Sequence, residues 1–279
     1  MSIDELIARA LKEDIGDGDH TTLSCIPADA KGSARLLVKE DGILCGTEIA
    51  GKVFHKFDPG LLMDKFIPDG SVIRKGDIVF TISGRVSSIL QTERLVLNFM
   101  QRMSGIATAT NKLVRQVGSI PVRILDTRKT TPLLRELEKI AVKTGGGNNH
   151  RMGLYDMIMI KDNHIDFAGG IENAIDSAKA YLASINKSLK IEIEVRNFME
   201  LDRVLKHGGI DRIMLDNFNT ADLMEAVKRV GGRFETEASG GVNESNIREY
   251  ASTGVTFISV GALTHHIQSL DMSLKAVRD

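Results

Sequence analysis

Arg128 and Lys129, His150 and Arg151, and Lys161 and His164 form three close pairs within about forty positions of the chain. They stand in Asp126-Thr127-Arg128-Lys129-Thr130-Thr131-Pro132, Gly145-Gly146-Gly147-Asn148-Asn149-His150-Arg151 and Lys161-Asp162-Asn163-His164. That mixture of cations, glycines and small polar residues suits a highly anionic ligand. Arginine forks grip carboxylate or phosphate bidentately, lysines add mobile point charges, and glycines let backbone N–H groups approach closely. The formal net charge of the 279 residues is −1, so these cations are a local concentration in a balanced chain. A small anion fits that distribution better than DNA, RNA or an anionic membrane. Aromatic residues make up 5% with no Trp, which argues against a base-stacking surface for single strands.

Carboxylates and glycines add to the set further along. Glu194 and Asp216 end apolar runs, where a carboxylate has little packing purpose. Glu192, two residues before Glu194, falls on the same strand face and one layer deeper, a weaker candidate. Ser239, Gly240, Gly241 and Gly261 suit a phosphate clamp of backbone donors at late strand ends, although turn glycines are common. Gly145-Gly146-Gly147 lacks the spacing of a dinucleotide-binding loop. His265 and His266 are adjacent, so they cannot share a helix face as a metal pair, and no Cys or carboxylate pattern accompanies them. Cys25 and Cys45 lack metal-site spacing and do not make a disulfide framework. A reduced cytoplasmic setting follows, with no signal-like start and no apolar run of spanning length.

The elements that must hold these residues are legible from periodicity. Residues 3–13 place Ile3, Leu6, Ile7 and Leu11 at helical spacing, and 16–22 read as a loop. From 33 to 90 short β-rich runs alternate with turns at Asp41-Gly42, Asp69-Gly70 and Lys75-Gly76. Residues 91–117 read as a long helix with Leu95, Phe99, Met103 and Ile106 on one face. Beyond 122 the rhythm becomes strand, loop, helix, with strands at 122–126, 157–160, 191–195, 212–216, 234–238 and 257–260. Such spacing predicts successive βα units of a parallel sheet, too few for a closed eight-unit barrel. Arg128, Lys129, Lys161, Glu194, Asp216, Ser239 and Gly261 all fall at or just beyond strand ends, the active-site rim of such architectures.

The order and spacing of these segments resemble the quinolinate phosphoribosyltransferase family, the carboxylating nicotinate-nucleotide pyrophosphorylases. The likeness covers nearly the whole chain, including Glu13-Asp14-Ile15-Gly16-Asp17-Gly18-Asp19, Gln101-Arg102-Met103-Ser104-Gly105, Leu215-Asp216-Asn217 and Glu237-Ala238-Ser239-Gly240-Gly241. It implies an α/β protein with an N-terminal α/β sandwich over residues 1–108 and an open, incomplete parallel α/β barrel over 109–267. The tail, 268–279, is expected to pack back on the first domain. The implied reaction joins quinolinate to the ribose of phosphoribosyl pyrophosphate (PRPP), releasing pyrophosphate and CO2 and leaving nicotinate mononucleotide for NAD biosynthesis. By the same resemblance Arg128, His150 and Arg151 hold quinolinate carboxylates, and Lys129 and Lys161 serve the carboxylate and phosphate side. Glu194 and Asp216 stabilise the ribose cation and orient water on Mg2+ that arrives with PRPP, while Ser239, Gly240, Gly241 and Gly261 clamp the 5-phosphate. Arg102 is implied to reach the site of a neighbouring subunit in a homodimer or larger assembly. His266 departs from the small residue found after Thr-His in such proteins.

Three other readings compete. A relative on the same scaffold could use another base. A barrel isomerase or aldolase would need a Schiff-base lysine, for which Lys161 is the one tempting nucleophile. Residues 69–84 look like a hairpin of a biotinyl or lipoyl carrier module, but lack the carrier lysine in the turn.

Overall fold

A computed structural model describes residues 1–277. The chain divides into two compact units. The first contains Met1–Asn111, Thr131–Gly146 and the segment from His266 onward; the second contains Lys112–Thr130 and Gly147–His265.

In the first unit, α1 (Ile3–Ile15) opens with a capping box between Ser2 and Glu5 and buries Ile7 and Leu11. The expected loop at 16–22 is cut short by α2 (His20–Cys25), because the Asp19 carboxylate accepts the Thr22 N–H at 3.0 Å and starts a new turn. Strands β1 (Lys31–Val38) and β2 (Gly42–Ile43) follow. The stretch expected to be β-rich then contains a helix, α3 (Thr47–Phe57), with Ile49, Ala50, Val53 and Phe54 buried along one side. Its cap is remote: Asp69 accepts the Gly46 and Thr47 N–H groups at 2.8 and 3.1 Å. The start signal comes from far along the chain, although Ile49, Ala50, Val53 and Phe54 already carry helical spacing that the β-rich expectation passed over.

Strands β3 (Leu62–Lys65), β4 (Val72–Ile73) and β5 (Ile78–Arg85) complete this part. β4 pairs with β2, whereas β5 lies between β1 and β3, so residues 69–84 form no projecting hairpin. Helix α4 (Val86–Val117) starts earlier than its apolar stripe suggests and buries Leu95, Phe99, Met103 and Ile106. Gly105 on α4 is a true close approach, since an added Cβ would stand 2.2 Å from the Gln268 carbonyl oxygen. Helix α5 (Arg135–Thr144) also belongs to this unit. Both cysteines are free thiols, and burial pushes Cys45 up to about 12.

The second unit alternates strand and helix. It runs β6 (Arg123–Leu125), β7 (Ile158–Ile160), α6 (Asp162–Ala168), α7 (Ile171–Ser184), β8 (Ile191–Val195) and α8 (Phe198–His207). It continues with β9 (Arg212–Asp216), α9 (Thr220–Val230), β10 (Glu235–Ser239), α10 (Ile247–Ala251), β11 (Phe257–Ser259) and α11 (Ala262–His265). Among the described residues the parallel sheet has six strands in the order β6-β11-β10-β9-β8-β7. β6 and β7 are its two ends, so this is the open α/β barrel that six units imply. On β8 the side chains alternate: Ile191, Ile193 and Val195 face one way, Glu192 and Glu194 the other, and all five are buried. After this unit, β12 (Met272–Ala276) pairs antiparallel with β1 as an edge strand of the first sheet. Residues 278–279 of the expected tail lie outside the described residues. No helix of the described residues is long and apolar enough to cross a membrane.

Candidate active site

The strand ends of the second unit surround a cavity of about 860 Å³. Arg128, Lys129, His150, Arg151 and Lys161 line it, and so do Glu194, Asp216, Ser239, Gly240, Gly241 and Gly261. Every expected site residue of this unit therefore reaches one space. Arg102 does not line it. In the first unit its Nε donates to Glu138 Oε1 at 3.0 Å and its Nη2 to Thr131 Oγ1 at 2.7 Å.

The loop after β6 is shaped from two directions. Thr127 Oγ1 accepts the Lys129 N–H at 3.0 Å, and the Thr264 hydroxyl donates to the Lys129 carbonyl at 2.8 Å. Asn148 adds a short parallel bridge beside Leu125, which brings His150 and Arg151 alongside β6. Asp126 then accepts the His150 N–H at 2.8 Å. The Arg151 guanidinium donates to the Met157 carbonyl at 3.2 Å. Its own burial, and then the nearby Arg128, hold Arg151 below the ordinary arginine range. An exposed and a half-buried cation that repel each other on one wall suit an anion with more than one charge.

The acids at the rim are paired differently. Glu194 Oε2 accepts from Lys161 Nζ at 3.0 Å. That ion pair, with 45% of the Lys161 side chain accessible, differs from the enclosed apolar setting of a Schiff-base lysine. Asp216 Oδ2 accepts the Asn217 side-chain amide at 2.7 Å. Asn217 sits at φ 57, its N–H bonded to the Ser239 carbonyl at 2.8 Å. Gly240, at φ +101, makes room for it, because a Cβ there would lie 2.2 Å from Asn217 Oδ1. The side chains of Asn243 and Asn246 both donate to the Gly241 carbonyl, at 3.1 and 3.0 Å. Gly261 packs against Lys129 and His265, at 3.0 and 3.1 Å from where a Cβ would be.

Beneath this rim lies a floor of buried charge. His150 Nε2 is 3.0 Å from Glu192 Oε2 and 3.5 Å from Glu237 Oε2, and Arg212 Nη1 is 3.0 Å from Glu237 Oε2. Burial opposes a charged His150 ring, but the two carboxylates outweigh it and raise the ring to about 9. The Arg151 N–H nevertheless donates to Nδ1 at 2.7 Å, which only an unprotonated Nδ1 can accept. This contact describes the neutral ring, and the acids favour the charged one; the two are alternatives related by a proton.

A model of the quinolinate phosphoribosyl transferase C-terminal domain matches residues 106–275, and one of the N-terminal domain matches residues 19–104. The chain belongs to the quinolinate phosphoribosyltransferase family. Within this family it is 46% identical over 285 residues to a chloroplastic nicotinate-nucleotide pyrophosphorylase [carboxylating] from Arabidopsis thaliana, covering 97% of this chain and 81% of that protein. It is 39% identical to a probable nicotinate-nucleotide pyrophosphorylase [carboxylating] from Bacillus subtilis, covering 98% of this chain and 93% of that protein. Among solved structures, the nicotinate-nucleotide pyrophosphorylase from Francisella tularensis superposes with a TM-score of 0.92 at 39% identity, covering 99% of this chain and 96% of that one.

Sequence reasoning missed Asn217, Asn243 and His265 as cavity residues, and it missed Arg212 entirely. Asn217 and Asn243 read as ordinary loop residues, since left-handed backbone and side-chain caps leave only a weak local signal. Arg212 opens an apolar run, so its inward direction shows only once the strands are registered, opposite Glu192 on β8 and Glu235 on β10.

Proposed function

We propose that this chain transfers the 5-phosphoribosyl group from PRPP to quinolinate with loss of CO2, giving nicotinate mononucleotide and pyrophosphate for NAD biosynthesis. The observation that carries this reading is the meeting of Arg128, Lys129, Arg151 and Lys161 with Glu194 and Asp216 in one cavity. Quinolinate is a dianion and PRPP carries two phosphate-bearing ends, so the ligands repel each other and hold water tightly. A cation–anion contact near 4 Å offers about 4 kcal/mol of gross attraction at an effective dielectric of about 20, much of it offset by desolvation. Several such contacts are needed, and the wall of the cavity supplies them.

Arg128 and Arg151 grip the carboxylates while Lys129 and Lys161 meet carboxylate and phosphate. The pyridine nitrogen attacks C1 of the ribose, and the C1–O bond breaks with its electron pair leaving on pyrophosphate. Glu194 and Asp216 stabilise the positive charge that grows on C1 and the ring oxygen. The resulting pyridinium accepts the electron pair released as the neighbouring carboxylate leaves as CO2, and a proton then fills that carbon. Ser239, Gly240, Gly241 and Gly261 hold the 5-phosphate. The protein positions and neutralises; no covalent enzyme intermediate forms.

The hard oxygen donors of Glu194 and Asp216 at the open rim fit Mg2+ held through its water shell, with neither carboxylate a direct ligand. Bound with PRPP, the ion would neutralise charge on the departing pyrophosphate. Arg102, outside the lining of this cavity and held by Glu138, completes the site of a second copy in a homo-oligomer. The two unpaired thiols agree with a cytoplasmic setting.

Purified protein incubated with quinolinate, PRPP and Mg2+ is expected to form nicotinate mononucleotide, resolved by chromatography, with one CO2 released per product. Absence of product from folded protein would overturn the reading.

A further inference from the structure

The floor of the cavity holds charges that the transfer step does not use. Glu192, Arg212 and Glu237 lie on the neighbouring strands β8, β9 and β10 and converge beneath His150. Neither glutamate has measurable exposure. Arg212 Nη1 is 3.0 Å from Glu237 Oε2 and 3.9 Å from Glu192 Oε2, and the Phe257 ring covers the guanidinium, its centroid 3.9 Å away. His150 and the two glutamates offer three ligand atoms within 4.8 Å of one another. Arg212 already stands against both carboxylates, so a metal ion would bring positive charge where a guanidinium supplies it.

Counting charges shows what the cluster lacks. Arg212 is also shared with the part-exposed Glu235 at 3.4 Å, so the two buried carboxylates leave at least one negative charge uncompensated, which is costly unless a proton joins. Only His150 and the glutamates can take it. Burial and then Glu237 raise Glu192, whereas His150, Ser259 and Arg212 overcome burial and lower Glu237. The two acids raise His150 itself to about 9, so the ring is the proton's favoured seat. Above them, Arg128 and Arg151 line the same cavity as His150. An arriving dianion meets all three.

We propose that Glu192 and Glu237, seated on Arg212, are positioning residues for dicarboxylate recognition, holding His150 as a cation beside Arg128 and Arg151 for quinolinate. The inference rests on the dicarboxylate reading of the cavity. Charging the ring requires the Arg151 N–H to release Nδ1, so protonation is linked to the backbone that carries Arg151.

The groups facing His150 are Glu192 from β8, Arg212 from β9, Glu237 from β10 and Asp126 after β6, with Arg128 and Arg151 along the wall. Because the acids raise the ring, its charge persists through neutral pH and is lost as pH rises through about 9. With one acid neutralised, the opposing effect of burial is less well countered and the loss moves to lower pH.

Quinolinate dissociation constants measured by calorimetry from about pH 6 to about pH 9 on the intact protein test this. The loss of affinity on the alkaline side is expected to begin at least about one pH unit earlier in E192Q and E237Q. At pH 9 a one-unit shift means about fivefold weaker binding, against less than about twofold at pH 6. E192D should restore the wild-type profile. Should the glutamine variants not fold, the His150 ring resonance of quinolinate-bound wild type, identified by its absence in H150Q, must titrate above neutrality. Variants that weaken binding equally at every pH, or a ring that stays neutral, would overturn the proposal. Wild type that binds no quinolinate would overturn the dicarboxylate reading itself.

Discussion

Glu192 and Glu194 stand two residues apart on β8 and point the same way, yet one belongs to the floor of the cavity and the other to its rim. Glu194 keeps 10% of its side chain accessible and answers to Lys161, whose side chain is 45% accessible. Glu192 is sealed between His150 and Arg212. The rim can rearrange around a ligand because its cations have water and flexible stems. The floor cannot, so its charges must balance among themselves. One strand therefore supplies a group that meets substrate and a group that governs another residue, separated only by depth.

Substitutions at the rim should lose chemistry, and the largest loss is expected where two carboxylates are read. Arg128→Ala should lower kcat/KM for quinolinate about 10³-fold, roughly 4 kcal/mol, in steady-state assays. Near-normal turnover would remove Arg128 from the site. Next, Glu194→Gln should lower kcat about 10²-fold, roughly 2.7 kcal/mol, while KM for quinolinate changes less than about threefold, because the group acts on charge that develops at C1. A rise in KM alone would make Glu194 a binding residue instead.

The rim glycines refine the contrast between packed and open positions. Gly240→Ala is expected to cost about 1–3 kcal/mol of stability in denaturant titration, from positive φ together with the collision with Asn217. Gly241→Ala has φ +63 but open space, so it should cost only about 1 kcal/mol. Equal costs would mean that strain alone matters there. The smallest effect belongs outside the cavity lining, at the solvent-exposed Arg203–Glu172 pair. Arg203→Ala should leave the thermal midpoint within experimental scatter and kinetics unchanged.

Much of this was legible in the chain. The strand–helix rhythm after residue 122 located the six strands to within a residue or two, because parallel strands with both faces covered are short apolar runs bounded by turns. The same rhythm put Arg128, Lys161, Glu194 and Asp216 at strand ends. Three things were hidden for physical reasons. The cap of helix α3 comes from Asp69, which local spacing cannot show. Asn217 works through a left-handed backbone that needs Gly240 beside it. Arg212 becomes meaningful only when strand register sets it against two glutamates. Local pattern reveals periodic elements and their ends; groups that act across strands emerge only from the fold.

The most direct measurement of the central claim compares kcat/KM for quinolinate and for nicotinate, each with PRPP and Mg2+, in the same preparation. If the cationic wall reads two carboxylates, quinolinate should be favoured by at least about 10³-fold, since nicotinate leaves one buried cationic contact unanswered. Comparable turnover of nicotinate would contradict the claim and make the second carboxylate incidental to recognition.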